Sequence, residues 1–208
     1  MPERKLYASL IGINAYRKAG NLNGCVKDIL NFDKLLRALV QSQGGKLAYE
    51  PLYLLAPKPA PHADSRSADQ IIIERYEQSE NVVIEYEEPT FGNISGAAFN
   101  HLAQAGGNDI CIFYYSGHGS YINAPKEFRG MQNTRFNQTL VCSDSRSGVT
   151  RDLIDKEIGY LLYKTLRDKP DVHCLVVMDC CHSGSNTRAL LQEIPRFVSA
   201  RSLPPVRI

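Results

Sequence analysis

The sequence predicts an α/β protein with a mostly parallel central sheet and helices on both faces. Short apolar runs alternate along the chain with longer segments of helical periodicity. The apolar runs are continuous, as expected for strands that are buried on both faces of a sheet. Repeated strand–helix–strand order favours right-handed crossovers and parallel strands. A chain of 208 residues is long enough for one domain with a substantial core.

The first elements follow this order from the N-terminus. Residues 7–14 form a compact apolar run that predicts a buried strand. Residues 25–40 have apolar side chains at helical spacing, and the glycines at 44–45 are expected to end that helix. A second strand is expected at residues 51–56. Residues 57–70 lack periodicity, which predicts an exposed loop.

The middle of the chain is less regular. Short β-branched runs at residues 71–73 and 82–84 are separated by charged residues, and they favour a hairpin or excursion at the edge of the sheet. Thr90 is expected to cap a helix that reaches about Ala105. Residues 109–115 are the third strong strand.

The remaining elements complete the pattern. Residues 120–138 predict a polar loop, and residues 139–142 a short extended piece. A helix over residues 154–166 leads into a fourth strong strand that contains residues 175–178. The pattern ends after Gly184, where we expect a flexible tail without a strand that could close the sheet.

Composition and charge indicate a cytoplasmic protein. The net charge of +2 is too small to imply a nucleic-acid partner, and no basic run is present. No segment approaches the roughly 20 apolar residues that would span a bilayer, and the first residues lack the apolar stretch of a signal peptide. We therefore expect neither a nucleic-acid nor a membrane partner.

The six cysteines are expected to be reduced thiols, because no secretory signal accompanies them. Cys111 and Cys174 fall in predicted strands and are expected to be small buried hydrophobic residues.

Three predicted strands end in residue types that can perform chemistry. Asn23-Gly-Cys-Val-Lys-Asp28 follows the first strand, Ser116-Gly-His118 the third and Asp179-Cys-Cys181 the fourth. The carboxyl ends of parallel strands share one edge of the sheet, so we expect these segments to lie together.

Alternation along the fourth strand distinguishes its two final cysteines. If the extended geometry persists, Asp179 and Cys181 lie on one face, and Cys180 lies on the other with Met178. Cys181 is therefore the expected exposed thiol, and Cys180 the expected packing residue.

A thiol and an imidazole at the same edge favour nucleophilic catalysis. A free thiol is mostly protonated at neutral pH, and His118 can accept its proton and then protonate a leaving amine. Backbone amides near Cys181 and Gly119 can stabilise the oxyanion.

Other interpretations of these residues are open. His182 is a second candidate base, although it is the immediate neighbour of Cys181 and its side chain is expected to point elsewhere. A Gly-His-Gly sequence alone more often marks a turn. A zinc site would use Cys180, Cys181, His182 and His118, but adjacent cysteines lack the usual two-residue gap, and we predict no metal. A redox protein is a further alternative.

These residues together resemble a known family. Three segments are involved: Asn23-Gly-Cys-Val-Lys-Asp28, Tyr114-Tyr-Ser-Gly-His-Gly119 and Asp179-Cys-Cys-His-Ser-Gly184. The second cysteine of the last segment follows the histidine by 63 positions. Together they resemble caspase-like cysteine peptidases of the metacaspase and orthocaspase branch. The resemblance implies a caspase-like three-layer sandwich. It covers the large-subunit portion of a catalytic domain, which we place at residues 1–190, with residues 191–208 as a flexible linker or tail.

The resemblance also implies the site. It makes His118 and Cys181 the catalytic dyad, and the residues lining the primary specificity pocket would be Cys25, Asp28, Ser116 and Asp179. Two carboxylates suit a guanidinium, so we expect cleavage after Arg and less well after Lys. Animal caspases have Gln-Ala-Cys-x-Gly at the nucleophile, and the different sequence here points away from aspartate specificity.

The sequence departs from the family in two places. Many metacaspases have an acidic calcium cluster, but here Lys156 interrupts the acid pair of the helix, and residues 183–188 have no carboxylate. We therefore expect activity without calcium or another cofactor. The sheet of the family normally has two more strands from a small subunit, and no such strands are evident after Leu190. We expect a small-subunit segment to complete the sheet, either because the molecule is the large fragment of a longer precursor or because its partner is another chain.

Arginines in the tail suggest self-processing at the predicted specificity. The candidate cleavage positions are Arg188, Arg196, Arg201 and Arg207. The alternative to an endopeptidase is a catalytically silent caspase-like module that signals by binding.

Overall fold

A computed structural model of the protein describes residues 4–63, 65–124 and 136–180. Within these ranges the elements, in chain order, are β1 (Arg4–Ile13), α1 (Cys25–Ser42), β2 (Leu47–Ala56), α2 (Ala68–Glu80), β3 (Tyr86–Glu87), a π-helical segment (Asn93–Ala98) that continues into α3 (Phe99–Leu102), β4 (Ile110–Ser116), β5 (Gly119–Asn123), β6 (Phe136–Leu140), β7 (Leu153–Ile154), α4 (Asp155–Leu166) and β8 (His173–Asp179).

The described strands form two sheets. Five of them make a parallel sheet in the order β3-β2-β1-β4-β8. Its register sets Gly12 of β1 beside Ser116 of β4, and Ser116 beside Asp179 of β8. The carboxyl ends of three neighbouring strands are therefore level with one another. The smaller sheet is antiparallel, with the order β5-β6-β7.

Helices cover both faces of the parallel sheet. Leu10 of β1 packs into a core with residues of α1 and α2, whereas Ile11, the next residue, packs into a second core with residues of α3 and α4. This alternation is the period of a strand that is buried on both sides. The predicted fold class, a three-layer α/β sandwich with a mostly parallel sheet, is confirmed.

The expected edge strands at residues 71–73 and 82–84 are wrong. Residues 71–73 lie inside α2, and residues 82–84 form no strand. The Ser67 hydroxyl accepts from the Gln70 N–H at 3.1 Å, and the Gln70 side chain accepts from the Ser67 N–H at 2.8 Å. This capping box, together with burial of Ile73 against the core under α1, outweighs the β propensity of three isoleucines.

Other boundaries also differ from the expectation, and β2 begins four residues earlier than predicted, at Leu47. The predicted loop over residues 57–70 is shorter, because α2 begins at Ala68. Thr90 does accept from the Asn93 N–H at 3.1 Å, but the helix that it caps is partly π-helical and ends at Leu102. The predicted polar loop over residues 120–138 is wrong at its two ends, which belong to β5 and β6. The expected tail lies outside the described residues, and in those that are described no helix is long and apolar enough to cross a membrane.

A buried carboxylate joins α1, α2 and β2. Asp33 of α1 is fully buried and accepts from the hydroxyls of Tyr49 and Tyr76 and, at 2.8 Å, from Nε of Arg37. Burial raises the pKa of both Tyr49 and Tyr76, and the negative charge of Asp33 and its hydrogen bonds to the two hydroxyls raise it further. Both tyrosines therefore remain hydrogen-bond donors. The three partners of Asp33 lie in β2, in α2 and one turn later in α1. The network therefore fixes how α2 docks on the sheet.

Replacement of this carboxylate tests the network. Asp33→Asn is expected to lower the free energy of unfolding by about 2 to 3 kcal/mol, because it removes the charge that pairs with the partly buried Arg37. Urea denaturation measures the change. Asp168→Asn, at a side chain that is 83% exposed, is the control and should change stability little. A loss below about 0.5 kcal/mol for Asp33→Asn would contradict the assigned role.

Candidate active site

The first turn of α1 is held tightly against the end of β1. A Cβ atom at Gly12 would lie 2.8 Å from Cγ1 of Ile29 and 3.0 Å from the carbonyl oxygen of Cys25, so only glycine allows this approach. Gly24 provides no side-chain cap for α1, and Oδ1 of the buried Asn14 accepts from the Cys25 N–H at 3.0 Å instead. The start of α1 is therefore fixed at the carboxyl edge of the sheet.

Asp28 and Asp179 interact at this edge. The pKa of Asp28 is raised mainly by burial and then by the negative charge of Asp179, while Lys27 and the Ser116 hydroxyl act in the opposite direction. Ser116 is buried and sits directly beside Asp179 in the register of β4 and β8. Two carboxylates and a hydroxyl thus converge from α1, β4 and β8.

Cys25 and Tyr114 complete this group. Burial raises the pKa of the Cys25 thiol, and the charges of Asp28 and Asp179 raise it further, so Cys25 stays protonated at neutral pH and is a poor nucleophile. Burial and then the same two carboxylates raise the pKa of Tyr114 to about 12. The structure therefore brings together all four predicted pocket residues, and we call these five residues the acidic pocket: Cys25, Asp28, Tyr114, Ser116 and Asp179.

Tyr114 was not among the residues singled out from the sequence. It lies two positions before Ser116 on β4, and side chains two apart on a strand share one face. The same alternation that distinguished the two cysteines of β8 could have identified it.

His118 lies two residues beyond the acidic pocket, on the connection between β4 and β5. Its Nε2 is 2.8 Å from the carbonyl oxygen of Gly20. Because a carbonyl only accepts, this contact assigns the proton of the neutral ring to Nε2 and leaves Nδ1 as an acceptor. An imidazole oriented in this way can take a proton from a thiol through Nδ1.

Two tyrosines hold the backbone of His118. The hydroxyl of Tyr16 accepts from the His118 N–H at 2.7 Å, and the Tyr16 ring lies 4.9 Å from the imidazole. The hydroxyl of the fully buried Tyr115 donates to the carbonyl oxygens of His118 and Val141, each at 2.8 Å. A Cβ at Gly117 would lie 2.7 Å from both hydroxyls, so the turn before His118 requires glycine.

The amide of Gly119 points away from β6. The Val141 N–H donates to the His118 carbonyl at 3.0 Å, so these two residues form a hydrogen-bonded pair, and the next pair, Gly119 with Leu140, is a non-hydrogen-bonded one. The N–H of Gly119 is therefore directed outward from the hairpin.

The other predicted site residues lie outside the described part of the chain. These are Cys181, Arg188, Arg196, Arg201 and Arg207. Cys180 is described, and it packs with Met178 against the core under α3 and α4, as alternation predicted. Cys111 and Cys174 are buried free thiols, also as predicted.

A cleft of about 370 Å³ opens on His118. Its lining includes Lys18 and Gly20 from the connection after β1, Ser120 from β5 and Arg146 from the loop after β6. Sequence patterns did not identify Lys18 or Arg146, because these residues reach His118 from separate loops.

This fold and edge define a caspase-like α/β protein, with a histidine and two carboxylates, one from α1 and one from β8, at the carboxyl edge of a parallel sheet. The chain belongs to the caspase domain family, whose model matches residues 5–201.

Known proteins with similar sequences are metacaspases. Metacaspase-2 of Trypanosoma brucei brucei is 28% identical over 186 residues, which are 89% of this chain and 43% of that protein. Metacaspase-1 of Emericella nidulans is 27% identical over 181 residues, 87% of this chain and 36% of that protein. The chain thus spans less than half the length of these relatives. A crystal structure of a Geobacter sulfurreducens protein, 21% identical, has a similar fold with a TM-score of 0.52 over 89% of this chain and 53% of that one.

The hydroxyl of Tyr16 provides a test of how the His118 segment is held. Tyr16→Phe is expected to lower the free energy of unfolding by about 1 kcal/mol, because the ring remains while the His118 N–H loses its acceptor. Urea denaturation gives the difference. Tyr160→Phe, at a tyrosine of α4 that is 64% exposed, is the matched control and is expected to be neutral. Equal stability of the two variants would show that this hydrogen bond contributes nothing.

Proposed function

We propose that the chain is a cysteine endopeptidase that cleaves peptide bonds after basic residues, arginine in preference to lysine, with His118 and Cys181 as its dyad. The observation that carries the proposal is the acidic pocket beside His118. Asp28 and Asp179 interact there across the ends of α1 and β8, and the carbonyl oxygen of Asp179 accepts from the N–H of Gly117, the neighbour of His118, at 3.2 Å.

The position of Asp179 supports Cys181 as the nucleophile. Cys181 follows Asp179 by two residues, a distance of at most about 7 Å along the chain. Since the backbone of Asp179 is hydrogen-bonded to Gly117, the residue before His118, the chain length allows a thiol at position 181 to reach the imidazole. Burial raises the pKa of Cys25, and Cys180 is partly buried against the core, so both are poorer candidates for this role.

The proposed reaction is acyl transfer to a thiol followed by hydrolysis. Nδ1 of His118 takes the proton of Cys181, whose sulfur attacks the carbonyl carbon of the substrate. The backbone N–H groups of Gly119 and Cys181 stabilise the oxyanion, a contribution of about 3 kcal/mol per donor. The C–N bond then breaks, His118 protonates the amine, and water releases the acyl group from the sulfur.

The acidic pocket accounts for the preferred residue. A guanidinium between Asp28 and Asp179 would relieve their mutual repulsion and form charge-assisted hydrogen bonds with both. Arginine is favoured over lysine because its planar fork can bond to two carboxylates in fixed geometry. The hydroxyls of Tyr114 and Ser116 offer further polar contacts at the walls.

The exposed edge of β8 supports a partner segment. In the described ranges β8 pairs with β4 alone, and residues 175–178 are only partly buried, whereas their partners on β4 are buried. We propose that a small-subunit segment, from this chain or another, adds strands at this edge. Self-cleavage after an arginine of residues 188–207 would separate such a segment. The free thiols of the described core fit a reducing compartment, and we propose a cytoplasmic location.

Existing ion pairs support activity without calcium. Oε2 of Glu157 accepts from NH1 of Arg151 at 2.6 Å, and Oδ2 of Asp152 accepts from NH2 of Arg146 at 2.7 Å. Asp155 pairs with Lys156 at 3.5 Å. Calcium would have to displace these cations to obtain its several oxygen ligands.

Peptide substrates test the proposed specificity. Fluorogenic peptides that differ only in the residue before the cleaved bond should be hydrolysed in the order Arg, Lys, Asp. Asp28→Asn should lower kcat/KM for the Arg peptide by about 10- to 100-fold, the value of one charge-assisted hydrogen bond, while Asp171→Asn, at an exposed aspartate before β8, should not. Faster cleavage after Asp, or full activity of Cys181→Ala, would refute the proposal and favour a silent binding module or an unrelated chemistry.

A chelator tests the independence from calcium. Hydrolysis of the Arg peptide by the purified protein is expected to stay within about twofold when EGTA is added, because the carboxylates near α4 are already paired with cations. Loss of hydrolysis with EGTA and its recovery with added calcium would contradict this expectation.

A further inference from the structure

The cleft beside His118 is separate from the acidic pocket. Cys25, Asp28, Ser116 and Asp179 do not line it, whereas His118 does. His118 lines the cleft and follows Ser116 of the acidic pocket by two residues, so the two groups are neighbours at this edge of the sheet, and they differ in charge.

Lys18 gives the cleft a cation that forms no ion pair with the residues that the structure describes. Its side chain is exposed, and no ion pair among the described residues involves it. Arg17, the preceding residue, is engaged by Glu88 at 2.8 Å and is not part of the lining. The ammonium of Lys18 is therefore available to an anionic group in the cleft.

Arg146 adds donors that its own ion pair does not use. Its Nε and NH2 donate to Asp152 at 3.3 Å and 2.7 Å, which leaves three of the five guanidinium N–H groups for other acceptors. Its φ is 63°, a left-handed conformation that is costly for arginine. The pairing with the buried Asp152 holds the side chain in this position at the cleft.

The chemistry of the proposed reaction decides which part of a substrate meets the cleft. When the C–N bond breaks, the electron pair stays on nitrogen, and His118 donates its proton there, so the leaving amine must lie within hydrogen-bond distance of the imidazole. The basic residue on the acyl side occupies the acidic pocket. With the acyl side held at the acidic pocket, the residues after the cleaved bond would leave His118 through the cleft that it shares with Lys18 and Arg146.

We propose that this cleft is a subsite for acidic side chains in the first two positions after the cleaved bond. The inference rests on the proposed peptidase function and extends it. The preferred substrate class is a peptide with arginine before the bond and Asp or Glu directly after it. Lysine or arginine after the bond is disfavoured by repulsion from Lys18.

Three internally quenched peptides test the subsite. They share arginine before the bond and have Glu-Glu, Gln-Gln or Lys-Lys after it. For an exposed ion pair, kcat/KM is expected to be about two- to fivefold higher for Glu-Glu than for Gln-Gln, and lower again for Lys-Lys. The differences should shrink in 0.5 M salt, because screening weakens exposed charge pairs.

Charge reversal at Lys18 assigns the preference to the cleft. Lys18→Glu should bring the ratio of Glu-Glu to Gln-Gln to one or below. Lys46→Glu makes the same change in charge at an exposed lysine between α1 and β2, and it should keep the wild-type ratio. Arg146 is a poorer test, because its removal would leave the buried Asp152 without its cation.

A binding measurement covers the case in which turnover is too slow to measure. Fluorescein-labelled forms of the same peptides are titrated against the Cys181→Ala protein by anisotropy, and the Glu-Glu peptide is expected to have a Kd about two- to fivefold below that of Gln-Gln. Equal rates or equal Kd values for the three peptides, or no binding of any, would overturn the subsite. Cleavage of the Gln-Gln peptide after arginine tests the peptidase separately, so equal cleavage of all three would reject the subsite and leave the peptidase standing.

Discussion

Repulsion between Asp28 and Asp179 is the constraint on which the site depends. The fold holds both carboxylates at one edge of the sheet, and burial together with the charge of Asp179 raises the pKa of Asp28. No described cation forms an ion pair with either one, and Lys27 only partly offsets the effect. Such an arrangement destabilises the empty pocket and favours any ligand that supplies a positive charge. The basic side chain of the proposed substrate would meet this requirement.

The scaffold around the pair is rigid where the chemistry needs it. Parallel register levels the ends of β1, β4 and β8, and Gly12 allows the first turn of α1 to press against that edge. On the other side, Tyr16 and Tyr115 fix the backbone of His118, and Gly20 fixes its ring. The groups that would bind a basic side chain and the group that would move the proton are thus held by separate sets of contacts. Preorganisation of this kind lowers the cost of reaching the transition state.

The sequence predicted those parts of the molecule that follow from local periodicity. Buried strands with continuous apolar runs, and the polar residues at their ends, could be found because parallel strands bring their carboxyl ends together. Features that depend on contacts between distant segments could not be predicted from the sequence. The β-branched run at residues 71–73 is helical because of the Ser67 cap and the contacts of Tyr76 with Asp33, and Lys18 approaches His118 only through a loop. Tyr114 lies between these cases, since alternation from Ser116 was sufficient to place it.

Covalent labelling tests the central assignment most directly. An arginyl acyloxymethyl ketone, which a thiolate attacks with loss of the carboxylate leaving group, would be incubated with the protein, and peptide mass spectrometry would locate the adduct. A single adduct on Cys181 is expected, which an excess of an arginine-containing peptide suppresses and which the His118→Ala variant forms much more slowly. An adduct on Cys25 or Cys180, or labelling of Cys181 that is equally fast with an aspartyl analogue, would contradict it.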